Sequence, residues 1–181
     1  MTTLAAIPGS LRSGSSNAAL LRAMARLAPG GVRVTLLEDL GSLPHFNPDL
    51  DVEGAVAPEP VAAFRASLAG ADAVLICTPE YAHGVPGALK DALDWIVSSG
   101  ELSGKPVALI VASPSGGAWA RSSLTPTLEV MEARLVPAAS LTVRNVRQAI
   151  DAEGNILDSV LEQEIRRSLA ALAAAATTIP P

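Results

Sequence analysis

Hydrophobic positions along this chain follow two alternating spacings. Short, nearly continuous apolar runs predict strands over residues 4–7, 32–37, 73–79, 106–113 and 135–143, the last weakened by Pro137. Between them, apolar residues recur at the three-to-four spacing of a helix face. This predicts helices over 17–28 (Leu20, Leu21, Met24, Leu27), 61–69, 87–98 (Leu89, Leu93, Ile96), 122–134 with Pro126 in its first turn, and 157–176. Pro29-Gly30-Gly31 stops the first helix. The runs AVLICTP and PVALIVAS have no polar alternation, as expected of central strands covered on both faces. The stretch GSLPHFNPDLDVEGAVAPEP is rich in Pro, Gly and Asp and reads as irregular.

Five strands alternating with helices predict a parallel sheet with helices on both faces, an α/β sandwich. No internal repeat and no long linker divides the chain, so residues 1–181 read as one domain. Open sheets of this class bind ligands beyond the carboxyl ends of their strands, near the switch point. The loops to inspect are therefore 9–17, 79–86 and 113–121.

Composition narrows the function. The chain is 49% hydrophobic and 17% charged, enough apolar material for a packed core. A net charge of -5 argues against a general nucleic-acid binder. The single cysteine, Cys77, cannot form an internal disulfide, which fits a reducing compartment. The N-terminal residues lack the pattern of a signal peptide, and the longest apolar run, LAALAAAA, is too short to span a bilayer. These readings give a cytoplasmic protein with no membrane and no nucleic-acid partner. No His, Cys and Asp cluster has metal-ligand spacing, and no G-x-S-x-G elbow supports a hydrolase.

The first loop, GSLRSGSSN, holds two glycines, four serines and an arginine between a strand and a helix start. Such a loop suits an anion: backbone N–H groups and the positive helix end point at it, and hydroxyls of Ser10, Ser13, Ser15 and Ser16 donate. Asn17 or Ser16 is the expected helix cap, and Arg12 adds a permanent charge with a fork that fits phosphate. The loop is neither a Walker A nor a GxGxxG sequence, and a merely polar, capped turn is the competing reading.

The second loop leaves a buried strand through PEYAHGVPGALKDALDW. Together with GSLRSGSSN it resembles the NADPH-dependent FMN reductase family of flavodoxin-like proteins. There the first loop reads close to G-S-L-R-x-G-S-x-N and the second close to P-E-Y-N-x-x-x-P-G-x-L-K-N-x-x-D-W. LPHFNPDLD and SPSGGAWAR are similar to the family's loops after strands two and four. The resemblance implies a flavodoxin-like three-layer sandwich, a five-stranded parallel sheet of order 2-1-3-4-5, and an FMN site. By that resemblance Ser10, Arg12, Ser16 and Asn17 hold the FMN phosphate. Pro79, Glu80, Tyr81 and Ala82 run along the ring edge, and Ser113 and Gly116 flank its other side. The chain has Ala82 where the family has Asn, which removes any side-chain hydrogen bond from that position. It also carries Trp119 where nicotinamide or acceptor is expected to stack.

The activity so implied is transfer of hydride from NADPH or NADH to FMN and on to an acceptor such as a quinone, an azo compound, a metal oxyanion or free flavin. No side chain needs to act as acid or base, so no catalytic residue is named. The alternative is a flavodoxin-like electron carrier without nicotinamide turnover; an aromatic content of 3% favours the reductase. A homodimer or homotetramer is expected from the family and from Leu89, Leu93, Trp95 and Ile96, which exceed one helix stripe. Tyr81 is expected at the site, His83 and His45 in solvent, and Cys77 as a buried, inert thiol.

Overall fold

The computed structural model describes residues 1–151 and 154–178. In chain order the elements are β1 (Thr2–Pro8), α1 (Ser16–Arg26), β2 (Val32–Leu36), α2 (Glu59–Ala69), β3 (Ala73–Thr78), α3 (Gly87–Asp94), β4 (Pro106–Ala112), α4 (Ala118–Val130), β5 (Arg134–Leu135), β6 (Leu141–Val143), α5 (Val146–Ala149) and α6 (Ser159–Thr177). The strands form one sheet in the order β2-β1-β3-β4-β5, with β6 also paired to β4, and every pairing is parallel. This is the expected flavodoxin-like order.

The sheet has six strands rather than five. The predicted strand over 135–143 is two strands, β5 and β6, separated by a 3-10 turn at Pro137–Ala139. Pro137 has no N–H to give to a ladder and a fixed φ, so the run breaks there and resumes beside β4 at Ile110–Ala112.

Alternation along the strands divides the core between two layers. Ala5, Ile7, Val74, Ile76, Val107, Leu109 and Val111 pack with residues of α2, α3 and α4. Leu4, Ala6, Leu75, Cys77, Ala108 and Ile110 pack with α1 and α6. Each fully buried Leu or Ile contributes about 1.5–3 kcal/mol of transfer energy, offset by ordering entropy.

Helix limits differ from the periodic reading where chemistry outside the apolar stripe sets them. α4 starts at Ala118, so Pro126 lies inside the helix instead of in its first turn. α3 ends at Asp94; the guanidinium of Arg65 then takes the Trp95 carbonyl, with Nε at 2.9 Å. α5 was not legible at all. The irregular stretch is tied down by its own groups: Trp95 Nε1 donates to the Pro44 carbonyl at 2.7 Å, Phe46 packs edge-on against the Trp95 ring, and Asp51 pairs with Arg65 at 2.8 Å. Leu89, Leu93, Trp95 and Ile96 are at most 1% exposed within one chain. They are core residues, and their surplus over one stripe reflects burial beneath this loop rather than a subunit contact.

Candidate functional site

Four chain segments emerge at the carboxyl end of the sheet and enclose a crevice of about 450 Å³. They are Ser10, Arg12 and Gly14 to Asn17 after β1; Pro79, Glu80 and Tyr81 after β3; Ala112 at the end of β4 with Ser113 and Pro114 after it; and Asn145 to Gln148 after β6. The volume lies within the range of small-molecule sites. Its position, over β1 and β3 where the strand order reverses, is the one open α/β sheets use.

The first segment builds one end. Gly9 sits in close quarters: a Cβ there would lie 3.0 Å from Leu89 Cδ2 and 3.2 Å from Thr78 Oγ1. The cap of α1 is Ser15, whose Oγ accepts from Ala18 N at 3.3 Å, and not Asn17 or Ser16. Asn17 lies inside the helix and is buried, with its Oδ1 accepting from the Cys77 thiol at 3.3 Å. Burial pushes that thiol well above its ordinary pKa, so Cys77 is an inert donor. With Ala18 N satisfied, the N–H groups of Ser16 and Asn17 are the orphan donors of the first turn, and that turn holds no acidic residue. Arg12 is exposed and, among the described residues, forms no ion pair.

The second and third segments build the other end. Tyr81 and Gly84 exchange backbone hydrogen bonds at 3.0 and 2.9 Å across a two-residue turn. Ala82 and His83 hold φ of 50° and 58° in that turn. Tyr81 is 51% exposed and its hydroxyl lies 3.2 Å from Ser10 Oγ, joining the two ends of the crevice. Glu80 does something the sequence did not suggest. One carboxylate oxygen accepts from Ser115 Oγ at 2.8 Å; the other accepts from the N–H groups of Trp119 at 2.8 Å and Ala120 at 3.1 Å. Gly117, the residue before α4, offers no side-chain cap, so Glu80 supplies it from the neighbouring loop. The Ser115 hydroxyl first, then the Ala120 N–H, hold the Glu80 carboxyl below its ordinary pKa. Ser113 continues the chain to Ser115 at 2.9 Å.

Of the residues expected at the site, Ser10, Arg12, Ser16, Asn17, Pro79, Glu80, Tyr81 and Ser113 line the crevice. Ala82 and Gly116 do not: Ala82 occupies the turn beyond Tyr81, and Gly116 lies under the Arg144 guanidinium, whose Nη2 would be 2.7 Å from a Cβ there. Trp119 is 57% exposed and stacks on His83 with ring centroids 5.3 Å apart. His45 is exposed, 3.8 Å from Asp91. Sequence reasoning named Ser15 as a hydroxyl donor but not as the helix cap, and it missed the segment Asn145 to Gln148. The rule that pointed to the loops after strands one, three and four applies equally to the last strand, where Arg144 and Arg147 follow within four positions. Among the described residues no His, Cys, Asp and Glu group could hold a metal, and no helix is long and apolar enough to cross a membrane.

A family model for NADPH-dependent FMN reductases matches residues 2–148. An NAD(P)H-dependent FMN reductase of Pseudomonas aeruginosa is 36% identical over 170 residues, 92% of this chain and 90% of that one. A 2-hydroxy-1,4-benzoquinone reductase of Burkholderia sp is 37% identical over 159 residues, 85% of each chain. Among solved structures, the flavoenzyme NAD(P)H:(acceptor) oxidoreductase of Paracoccus denitrificans superposes with a TM-score of 0.86 at 30% identity, over 97% of each chain.

Proposed function

Because the chain belongs to the NADPH-dependent FMN reductase family, we propose that its crevice holds FMN, with the phosphate at the 9–17 loop and the ring along Pro79 to Tyr81 and Ser113. The protein is an FMN-dependent NAD(P)H oxidoreductase that serves a small-molecule acceptor. The donor set carries this reading: the first-turn N–H groups of Ser16 and Asn17, the hydroxyls of Ser10 and Ser16 and the Arg12 guanidinium belong to one loop of the crevice, and that loop holds no carboxylate. A phosphate monoester fits that end.

Bound FMN supplies the redox chemistry, accepting two electrons from NAD(P)H and returning them to the acceptor. The chain's own residues bind, orient and shield. Ser10, Arg12, Ser16 and Asn17 fix the phosphate; Asn17 does so with its amide N–H, since Oδ1 serves Cys77. Pro79 and the Glu80 backbone follow the ring edge, while the Glu80 side chain keeps the 79–84 and 113–117 loops at a fixed separation. Ala82 and Gly116 act by shaping these loops. No side chain is assigned a proton.

For the acceptor, quinones and free flavin lead, supported by the benzoquinone reductase among the relatives; azo compounds and metal oxyanions use the same chemistry. The chain is read as one cytoplasmic FMN-binding domain that assembles as a homodimer or homotetramer. Exposed Val52 and Val97, each next to a partner in the Asp51–Ser98 hydrogen bond, suit its seam.

The test is the absorbance spectrum of the purified protein with and without FMN, followed by NADPH and NADH oxidation with and without a benzoquinone. A bound flavin spectrum and quinone-dependent nicotinamide oxidation are expected. No flavin binding would defeat the reading, and bound flavin without nicotinamide turnover would make the protein an electron carrier.

A further inference from the structure

Resting on the reading of the crevice as an FMN site, we propose that Arg147 is a second phosphate-binding cation, delivered by α5 to the end where Arg12 stands. Arg147 lines the crevice together with Arg12 and Ser10. It also lines an adjoining hollow of about 460 Å³ bounded by Ser13, Ser15, Ser16, Arg22 and Asp151. Gly14, Ser15 and Ser16 of the 9–17 loop line both spaces, so Arg147 lies alongside the loop proposed to take the phosphate.

Its placement is fixed by the fold. Asn145 turns the chain after β6 through a left-handed φ of 54°. Val146 then enters the core, 5% exposed, and Gln148 N closes the turn on Asn145 O at 2.8 Å. Behind it, Leu157 N donates to Ala149 O at 2.8 Å, and Ile150 bridges to Ile156. A buried neighbour and a closed loop hold Arg147 at the crevice wall, while its side chain stays exposed.

Charge makes the placement meaningful. The protein carries -5 overall, yet two arginines, Arg12 and Arg147, line this one crevice. Arg22 is spent on Glu38 at 2.5 Å and Arg121 on the Leu141 carbonyl at 2.8 Å, while Arg144 lies over Gly116 and does not line the crevice. Among the described residues Arg12 and Arg147 enter no ion pair. Among the described residues Asp151 is the acidic group lining the adjoining hollow, and Glu80, the one carboxylate lining the crevice, is committed to α4. A phosphate monoester carries about two negative charges at neutral pH, so Arg147 would add a second charge-assisted contact to the one Arg12 supplies.

The test measures affinities of apoprotein for FMN and for riboflavin by flavin fluorescence quenching in wild type, Arg147→Ala, Arg147→Lys and Arg12→Ala. Arg147→Ala is expected to weaken FMN binding about ten- to hundredfold, as for loss of a charge-assisted hydrogen bond, and to leave riboflavin binding unchanged. Lys should restore part of the loss. Equal losses for both flavins would make Arg147 structural, and no loss for either would overturn the inference while the FMN reading stands. A raised KM for NADPH over NADH with unchanged FMN affinity would assign Arg147 to the nicotinamide 2′-phosphate instead. Wild-type protein that binds neither flavin would defeat the FMN reading itself.

Discussion

Gly117 shows how one position between strand and site is decided by space. Its φ is 67°, and a Cβ there would lie 2.0 Å from Val111 Cγ1 on β4. Gly117→Ala combines a left-handed backbone, about 1–2 kcal/mol, with overpacking of about 1–3 kcal/mol. Denaturant unfolding of the variant should show a loss of about 3 kcal/mol; a loss within error of zero would mean that β4 and α4 separate freely. Ala82 and His83 hold the same region of φ without the freedom of glycine. The turn tolerates this because both ends are closed by the Tyr81–Gly84 hydrogen bonds. A strained, exposed turn beside the crevice is where functional sites store such cost. It also explains Asn at position 82 in the family, since Asn enters this region more readily than Ala.

Among elements, two carboxylates join segments that the apolar pattern leaves separate. Glu80 caps α4 from the loop after β3, and Asp51 binds Arg65 on α2 and, at 2.6 Å, Ser98 beyond α3. Burial raises the Asp51 pKa, but the hydrogen bonds from Arg65 and Ser98 and the Arg65 charge outweigh it, so the carboxyl titrates below its ordinary value. Glu80 is likewise lowered. A group with a depressed folded-state pKa adds stability above its unfolded value, about 4, and loses it as pH falls through the folded value. Stability should therefore be flat from neutral pH down to about 5 on this account and decline below about 4. Arg65→Ala removes the partner of a mostly buried charge and a donor to the Trp95 carbonyl. It should cost about 3 kcal/mol and shrink the Asp51 part of that acid decline to what the Ser98 hydrogen bond sustains. A mutant with an unchanged midpoint and unchanged acid slope would show that the 41–57 loop does not depend on this pair.

Taken as a whole, the molecule places one crevice at the switch point and surrounds it with four loops, which bears on kinetics. With FMN seated as proposed, the 9–17 loop would take the phosphate end and the 79–84 loop one ring edge, leaving one approach for nicotinamide and acceptor alike. Initial rates should then follow ping-pong kinetics; intersecting double-reciprocal plots would defeat a shared approach. The exposed His83–Trp119 stack beside this approach is the candidate for sorting acceptors by size. Trp119→Ala should shift relative rates between small and large quinones with FMN affinity nearly unchanged, and an unchanged acceptor profile would remove Trp119 from that role. The assembly is checked by sedimentation at micromolar concentration, where monomer alone would count against the homodimer.

Alternating spacings of Leu, Ile, Val and Ala were enough to give the order of strands and helices, the parallel sheet and the loops that carry the chemistry. These depend on local periodicity and on short motifs such as GSLRSGSSN and PEYAHGVPG. The split of the last strand was half legible, since Pro137 marks the break but not the return of Leu141–Val143 to β4. Three features needed distant groups brought together: Glu80 as the cap of α4, Leu89, Leu93, Trp95 and Ile96 as core, and Arg147 in the crevice wall. Each pairs residues about 35 or more positions apart, and no periodicity reports such a pairing. The hydrogen-bonding demand of a helix end, the cover a loop gives to an apolar face and the meeting of remote loops at one crevice arise only once the chain has closed on itself.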